Sequence, residues 1–248
     1  MKTPTLFQKL VRRSGEMTYT APSPGRPPDP PLRLLRAAQL VQQHLRGGAV
    51  LDVGCWEGEL ARQLPPDLHR FYTGVDIAPA APAVETARRL VPGANFAVVQ
   101  SVSALPFSDG SFDVVVLTEI IEHVPVGSEG LLLAEAARVL KKHGSIILST
   151  PVANLLNPLD PSWFFGHRHY SVNRLEEIAR AQSLSVMDVE FTGGLFTVLD
   201  TNFFYFHKHV LHRPYSGMAW LKRQMLREHI PSARGVFASN LWCRLIRP

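Results

Sequence analysis

Val50-Leu51-Asp52-Val53-Gly54-Cys55-Trp56-Glu57-Gly58-Glu59-Leu60 reads as a buried strand running into a tight turn. The apolar run from Ala49 to Val53 is short and rich in β-branched residues, as a parallel strand covered on both faces should be. Two glycines four apart follow it, and Glu59-Leu60-Ala61-Arg62-Gln63-Leu64 then has helical spacing. A strand, a glycine-containing turn and a helix start together form a nucleotide-type pocket. Glycine lets backbone approach a ligand closely, and the free N–H groups of a first helical turn point at it. The acid on the strand selects among ligands. Asp52 repels a pyrophosphate and attracts a ligand that carries an ammonium or sulfonium group.

Leu51 to Gly58 resembles the first motif of class I S-adenosylmethionine (SAM) dependent methyltransferases, with Trp56 where that motif has its middle glycine. Further resemblance follows at the expected intervals. Phe71-Tyr72-Thr73-Gly74-Val75-Asp76-Ile77 is a second strand ending in an acid about 20 residues after the turn, where an α/β nucleotide fold holds a ribose. A carboxylate there accepts hydrogen bonds from both ribose hydroxyls. As a structural alternative, Asp76 caps the helix expected over Ala81 to Leu90. Asn95 to Val99 is a third strand, followed by Ser101-Val102-Ser103-Ala104-Leu105-Pro106-Phe107. Similar methyltransferases have an aspartate in place of Ser101, which receives the adenine amino group. The resemblance implies that Asp52, Gly54 and Gly58 hold the methionine end of SAM. It assigns Asp76 to the ribose and Ser101 and Val102 to the adenine, with Cys55, Ile77 and Glu119 also lining the cofactor site.

Val114 to Leu117 is the fourth strand, and Thr118-Glu119-Ile120-Ile121-Glu122-His123-Val124-Pro125 follows it. Ligands of a parallel α/β sheet lie beyond the carboxyl ends of its strands, so Glu119 faces the methyl-transfer region. If a helical turn begins here, Glu119, Glu122 and His123 share one face. That arrangement, completed by His167 or His169, resembles the metal site of small-RNA 2′-O-methyltransferases. The same pentad also occurs without metal in the general family, where it shapes the pocket, and no metal is assigned. Glu119 and His123 are expected at the reaction centre, with His167 and His169 as bases supplied by a long loop. That loop, from Val152 to Arg168, carries Trp163-Phe164-Phe165-Gly166-His167-Arg168, a cluster that suits a flat or anionic substrate, or simply loop packing.

The remaining elements complete an α/β pattern. Helices are expected over Leu32 to Leu45, over Leu131 to Leu140 with a glycine-capped Lys141-Lys142-His143-Gly144 end, and after Ser171. Further strands are expected over Ser145 to Ser149, Val186 to Phe191 and Asn240 to Ile246. The expected fold is a Rossmann-like seven-stranded class I methyltransferase sheet with helices on both faces. Residues 1–31, with proline at six of eleven positions from Ala21 to Pro31, form an extended arm, and residues 32–248 the domain. Residues 192–239 are an insertion. Its aromatic and basic stretch at 203–223 is either a helical lid or a peripheral contact with the inner face of a membrane.

With 248 residues, 46% hydrophobic and 19% charged, the chain has enough apolar surface for one sizeable core. A net charge of +5 suits an acidic substrate or an anionic surface, and equally plain solubility. Cys55 and Cys243 stand far apart, which argues against a disulfide framework and for a cytoplasmic setting. Export is not expected from the N-terminal residues, and the sequence has no uncharged apolar run of about 18 residues. The expected activity is methyl transfer from SAM to an oxygen of a small-molecule, glycan or lipid-linked acceptor. The alternatives are metal-assisted methylation of an RNA 2′-hydroxyl, and a non-catalytic SAM-fold binding protein. Nucleic acid is the less favoured partner, since no module for it is seen.

Overall fold

A computed structural model describes residues 32–154, 167–232, 235 and 237–247. The expected arm at 1–31 and the aromatic run at 163–165 lie outside the described residues. Seven strands form one sheet: β1 (Val50–Val53), β2 (Tyr72–Ile77), β3 (Asn95–Val99), β4 (Phe112–Thr118), β5 (Leu140–Pro151), β6 (Ser185–Thr192) and β7 (Asn240–Ile246). Their order is β3-β2-β1-β4-β5-β7-β6, with β7 antiparallel to both its neighbours. The helices are α1 (Leu32–His44), α2 (Ala81–Leu90), α3 (Glu129–Val139), α4 (Val172–Ala181), α5 (Leu195–Phe206) and α6 (Ala219–Glu228).

Period-two alternation divides the core. Leu51, Val53, Val115, Leu117, Ile146 and Leu148 point to one face, where Leu132, Leu133 and Ala136 of α3 and Leu175 and Ile178 of α4 cover them. Val50, Val114, Val116, Ile147 and Trp242 point to the other, under Leu34, Ala37, Ala38 and Val41 of α1 and Val84 and Ala87 of α2. Because the crossovers put helices on both faces, β1 and the 114–117 stretch of β4 are fully buried and read as mainly apolar runs. Ser171 caps α4, its hydroxyl accepting from the Arg174 N–H at 3.3 Å. Cys55 and Cys243 are both free and buried.

Two local expectations fail for identifiable reasons. No α-helix follows the glycine turn, only a 3₁₀ turn at Ala61–Gln63. Pro65 forces the preceding Leu64 into an extended conformation (ψ 149°), and a second 3₁₀ stretch starts at Pro66. The helical spacing of Glu59 to Leu64 is therefore cut off after one turn. Lys141 to Gly144 does not cap α3 either. It bulges out of β5, which pairs at Leu140 with Phe112 and resumes at Ser145 with Val114. His143, not Gly144, takes the left-handed conformation (φ 66°). Gly144 is required for closeness, since a Cβ there would lie 2.7 Å from the Asp113 carbonyl oxygen.

Candidate active site

The strand order reverses between β1 and β4, and an open α/β sheet holds its ligands at such a point, beyond the carboxyl ends of the strands. The turn after β1 is built from alternating left-handed residues: Gly54 (φ 82°), Trp56 (φ 48°) and Gly58 (φ 69°). Trp56 thus adopts the conformation that a glycine would hold without strain. Its backbone N–H donates to Asp76 Oδ2 at 3.0 Å, tying the turn to the end of β2. Asp76 Oδ1 accepts from the Ile77 N–H at 2.8 Å. Each carboxylate oxygen keeps a second lone pair, so Asp76 retains acceptors for a diol. Burial raises its pKa, opposed by those two N–H donors. Ser101 stands two residues beyond β3, its hydroxyl accepting from the Ser103 N–H at 3.1 Å, and Val102 beside it is buried.

Asp52 lies deeper than the sequence reading places it. It is only 4% exposed and points to the α1 face of the sheet, where the Tyr72 hydroxyl donates to it. Burial pushes its pKa up to about 7, so it is no permanently charged lure for a cation. Cys55 is likewise buried, packed on Gly74, where a Cβ would sit 2.8 Å from the Cys55 Cβ. Burial raises its thiol far above the ordinary range. A Cβ on Gly54 would meet Ile120 Cδ1 at 2.0 Å, so the turn and the segment after β4 touch directly.

No helical turn starts at Glu119. The residue is left-handed (φ 55°), and its N–H donates to the Ser149 carbonyl at 3.0 Å. Glu119 Oε1 accepts from Ser149 Oγ at 2.8 Å and Asn240 Nδ2 at 3.0 Å, which pins it between β5 and β7. Glu122 is 2% exposed and accepts from Thr150 Oγ1 at 3.0 Å. Burial, and then the charge of Glu119, raise the Glu122 pKa well above the carboxylate range. The expected shared helical face is replaced by a different grouping, in which Glu122, His123 and His167 bring ligand atoms within 4.8 Å of one another. The His123 and His167 rings meet edge to face, 4.5 Å between centroids. His123 is pushed down to about 3, by burial first and then by His167 and Arg168. His169 is half-buried and is not one of the three.

Arg168 is used inside the protein rather than as a clamp for an anion. Its guanidinium donates to the carbonyls of Ile121 (2.7 Å) and Val124 (2.6 Å) and to the Tyr170 hydroxyl (3.0 Å), and pairs with Glu129 at 3.5 Å. The Tyr170 hydroxyl also lies 3.1 Å from Glu129 Oε1. These contacts lock the 121–124 turn to the 167–170 segment and so bring His167 to His123. Nothing local in the sequence signals Arg168, Tyr170, Glu129, Thr150 or Asn240 in these roles, because each acts on a partner at least 28 residues away.

Residues 51–148, spanning β1 to β5, match the family described as a methyltransferase domain. Residues 51–148 thus carry a methyltransferase domain, set in a sheet with the class I SAM-dependent methyltransferase fold. SAM is the cofactor of that family. The ubiquinone biosynthesis O-methyltransferase of Xanthomonas euvesicatoria is 35% identical over 129 residues, covering 50% of this chain and 53% of that one. The 2-methyl-6-phytyl-1,4-hydroquinone methyltransferase of Synechocystis is 39% identical over 106 residues, covering 42% and 32% respectively. The chain thus matches a third to about half of the length of these curated relatives. A SAM-dependent methyltransferase from Thermotoga maritima superposes with a TM-score of 0.58 at 19% identity, over 88% of this chain and 90% of that one. At that identity the likeness concerns the fold, which is the seven-stranded one expected from the sequence. The turn at 54–58 and the acceptors left on Asp76 fit the methionine and ribose ends of SAM, which supplies an electrophilic methyl group when bound.

Proposed function

We propose that this methyltransferase moves the methyl group of SAM to a hydroxyl oxygen on a small, lipid-linked acceptor, working at the cytoplasmic face of a membrane. Asp76 and Ile77 would hold the ribose, Ser101 and Val102 the adenine, and the backbone of Gly54 to Gly58 the methionine end. Catalysis would come mainly from alignment, with a base to take the hydroxyl proton. The depressed pKa of His123 makes it a poor base, which leaves that task to the loop histidines His167 and His169.

The observation that carries the lipid reading is the surface of the insertion. α5 leaves the sheet at Thr192, and Thr192 pairs with Asn240, the residue that holds Glu119. Leu195, Leu199, Phe203, Phe206 and Val210 recur at spacings of three and four along α5 and the π-helical turn after it, and all five are exposed. Arg213, Arg223 and Arg227 are exposed on the same insertion. Exposed apolar residues and cations on one segment suit an anionic lipid surface. No helix among the described residues is long and apolar enough to cross a bilayer. Of the relatives named above, one is by name a methyltransferase of 2-methyl-6-phytyl-1,4-hydroquinone and the other an O-methyltransferase of ubiquinone biosynthesis, which supports this reading.

Co-sedimentation of the full chain with phosphatidylglycerol vesicles, repeated for Leu199→Ser/Phe203→Ser, tests this placement. Binding by the parent chain that falls in the variant supports it. Equal sedimentation of both, or none by the parent chain, defeats it. Transfer of labelled methyl from SAM to prenylated catechols tests the acceptor class.

A further inference from the structure

We propose that Glu122, His123 and His167 form a binding site for one divalent transition-metal ion, of the zinc or manganese kind. The three side chains offer one carboxylate oxygen and two imidazole nitrogens within 4.8 Å of one another. Bonds of about 2.0 Å to a tetrahedral ion put ligand atoms about 3.3 Å apart, so small rotamer adjustments close the site. A mixed nitrogen and oxygen donor set suits zinc or manganese better than magnesium, which prefers oxygen alone.

An independent observation points into the cluster. Glu122 is 98% buried, and its Oε1 has no hydrogen-bond partner among the described residues, while Thr150 holds Oε2. A buried carboxyl oxygen left this way is costly unless a proton or a cation meets it. The surroundings are those of a built site. Thr150 orients the carboxylate, and Arg168 fixes the carbonyls of Ile121 and Val124 on either side of Glu122 and His123. Such outer contacts are what hold ligands in place in metal centres.

Three protein ligands leave coordination positions open, and the cluster adjoins Glu119 at the carboxyl end of β4. An acceptor with oxygens able to enter that position, a catechol or a hydroxyquinol, would be oriented and made more acidic there. With His123 and His167 engaged, proton removal falls to His169. This last step rests on the proposed acceptor class, whereas metal binding does not.

The test is binding of Zn²⁺ alone to the full chain, by competition with a chromogenic chelator, and of Mn²⁺ by electron paramagnetic resonance. The proposal expects one ion per chain, with affinity falling by about a hundredfold or more in His167→Ala and in Glu122→Gln. Replacement of His207, His209 and His212 in the insertion should leave it unchanged. His167 is half-buried on a surface segment, so its variant keeps the test informative if Glu122→Gln folds poorly. Absence of stoichiometric binding, or binding lost only with the 207–212 histidines, overturns the site. Titration with S-adenosylhomocysteine in the same samples separates the two readings. Retained nucleoside binding without metal binding defeats only the metal site, and the reverse defeats only the cofactor assignment.

Discussion

Replacing Asp52 with asparagine should change how stability depends on pH. In the folded chain Asp52 is 4% exposed and its pKa is raised from 3.8 to about 7, by burial above all, with the Tyr72 hydroxyl opposing the rise. Unfolding returns the carboxyl to water and to its ordinary range. Between pH 4 and 7 the folded state therefore binds more protons than the unfolded one, and stability falls as pH rises. The contribution is complete below the unfolded value and gone above the folded one. Three pH units at 1.36 kcal/mol each give an upper figure of about 4 kcal/mol. Asparagine keeps the shape and can still accept from Tyr72, but its amide N–H₂ lacks a partner, which costs about 1–3 kcal/mol at every pH. Urea unfolding at pH 5 and at pH 8 checks the sum. Relative to the variant, the parent chain should lose about 3 kcal/mol of stability between pH 5 and pH 8. Parallel pH profiles for the two proteins would refute the reasoning, since Asp52 would then be ionised in the folded state.

Three further substitutions separate effects that the site combines. Gly54 and Gly127 both have strongly positive φ (82° and 87°), but only at Gly54 would a Cβ strike a side chain, Ile120 at 2.0 Å. Gly127→Ala should cost about 1–2 kcal/mol from backbone strain alone. Gly54→Ala should cost about 1–3 kcal/mol more, and only it should weaken S-adenosylhomocysteine binding. Equal losses in urea unfolding would mean that the 54–120 contact is slack. Arg168→Met leaves Glu129 buried with no cation, a loss of about 3 kcal/mol. The 167–170 segment should also lose protection from proteolysis, and an unchanged cleavage pattern would show that Arg168 does not anchor it.

The sheet was legible because β1 to β4 are short apolar runs, each with an acid, a serine or a glycine at or just after its end. That pattern marks the carboxyl ends of β1 to β4 and hence the ligand edge. What escaped was set by tertiary contacts or by local chemistry that overrode spacing. Pro65 ended a helical pattern after one turn, and the Lys141 to Gly144 segment, which has the composition of a helix end, went into a bulge. Asp52 and Asp76 are both acids on strand ends and share one face of the sheet, yet Asp52 pairs with Gly74, two residues deeper, and meets Tyr72, whereas Asp76 reaches the Trp56 turn. Glu122 and His123 were visible as part of a pentad, but their grouping with His167 depends on Arg168 bridging 44 residues of chain. A helical spacing rule cannot see that bridge, and it wrongly included Glu119, which Ser149 and Asn240 hold separately.

The central claim is that the turn at Gly54 to Gly58 and the Asp76 carboxylate hold SAM. Calorimetric titration of the full chain with SAM and with S-adenosylhomocysteine, beside Asp76→Ala and with NAD as control, tests it most directly. The expected result is saturable binding of one adenosyl ligand per chain, absent with NAD and weakened by about a hundredfold when the Asp76 acceptors are removed. No binding of either adenosyl ligand by a folded chain, or equal binding by Asp76→Ala, would contradict it.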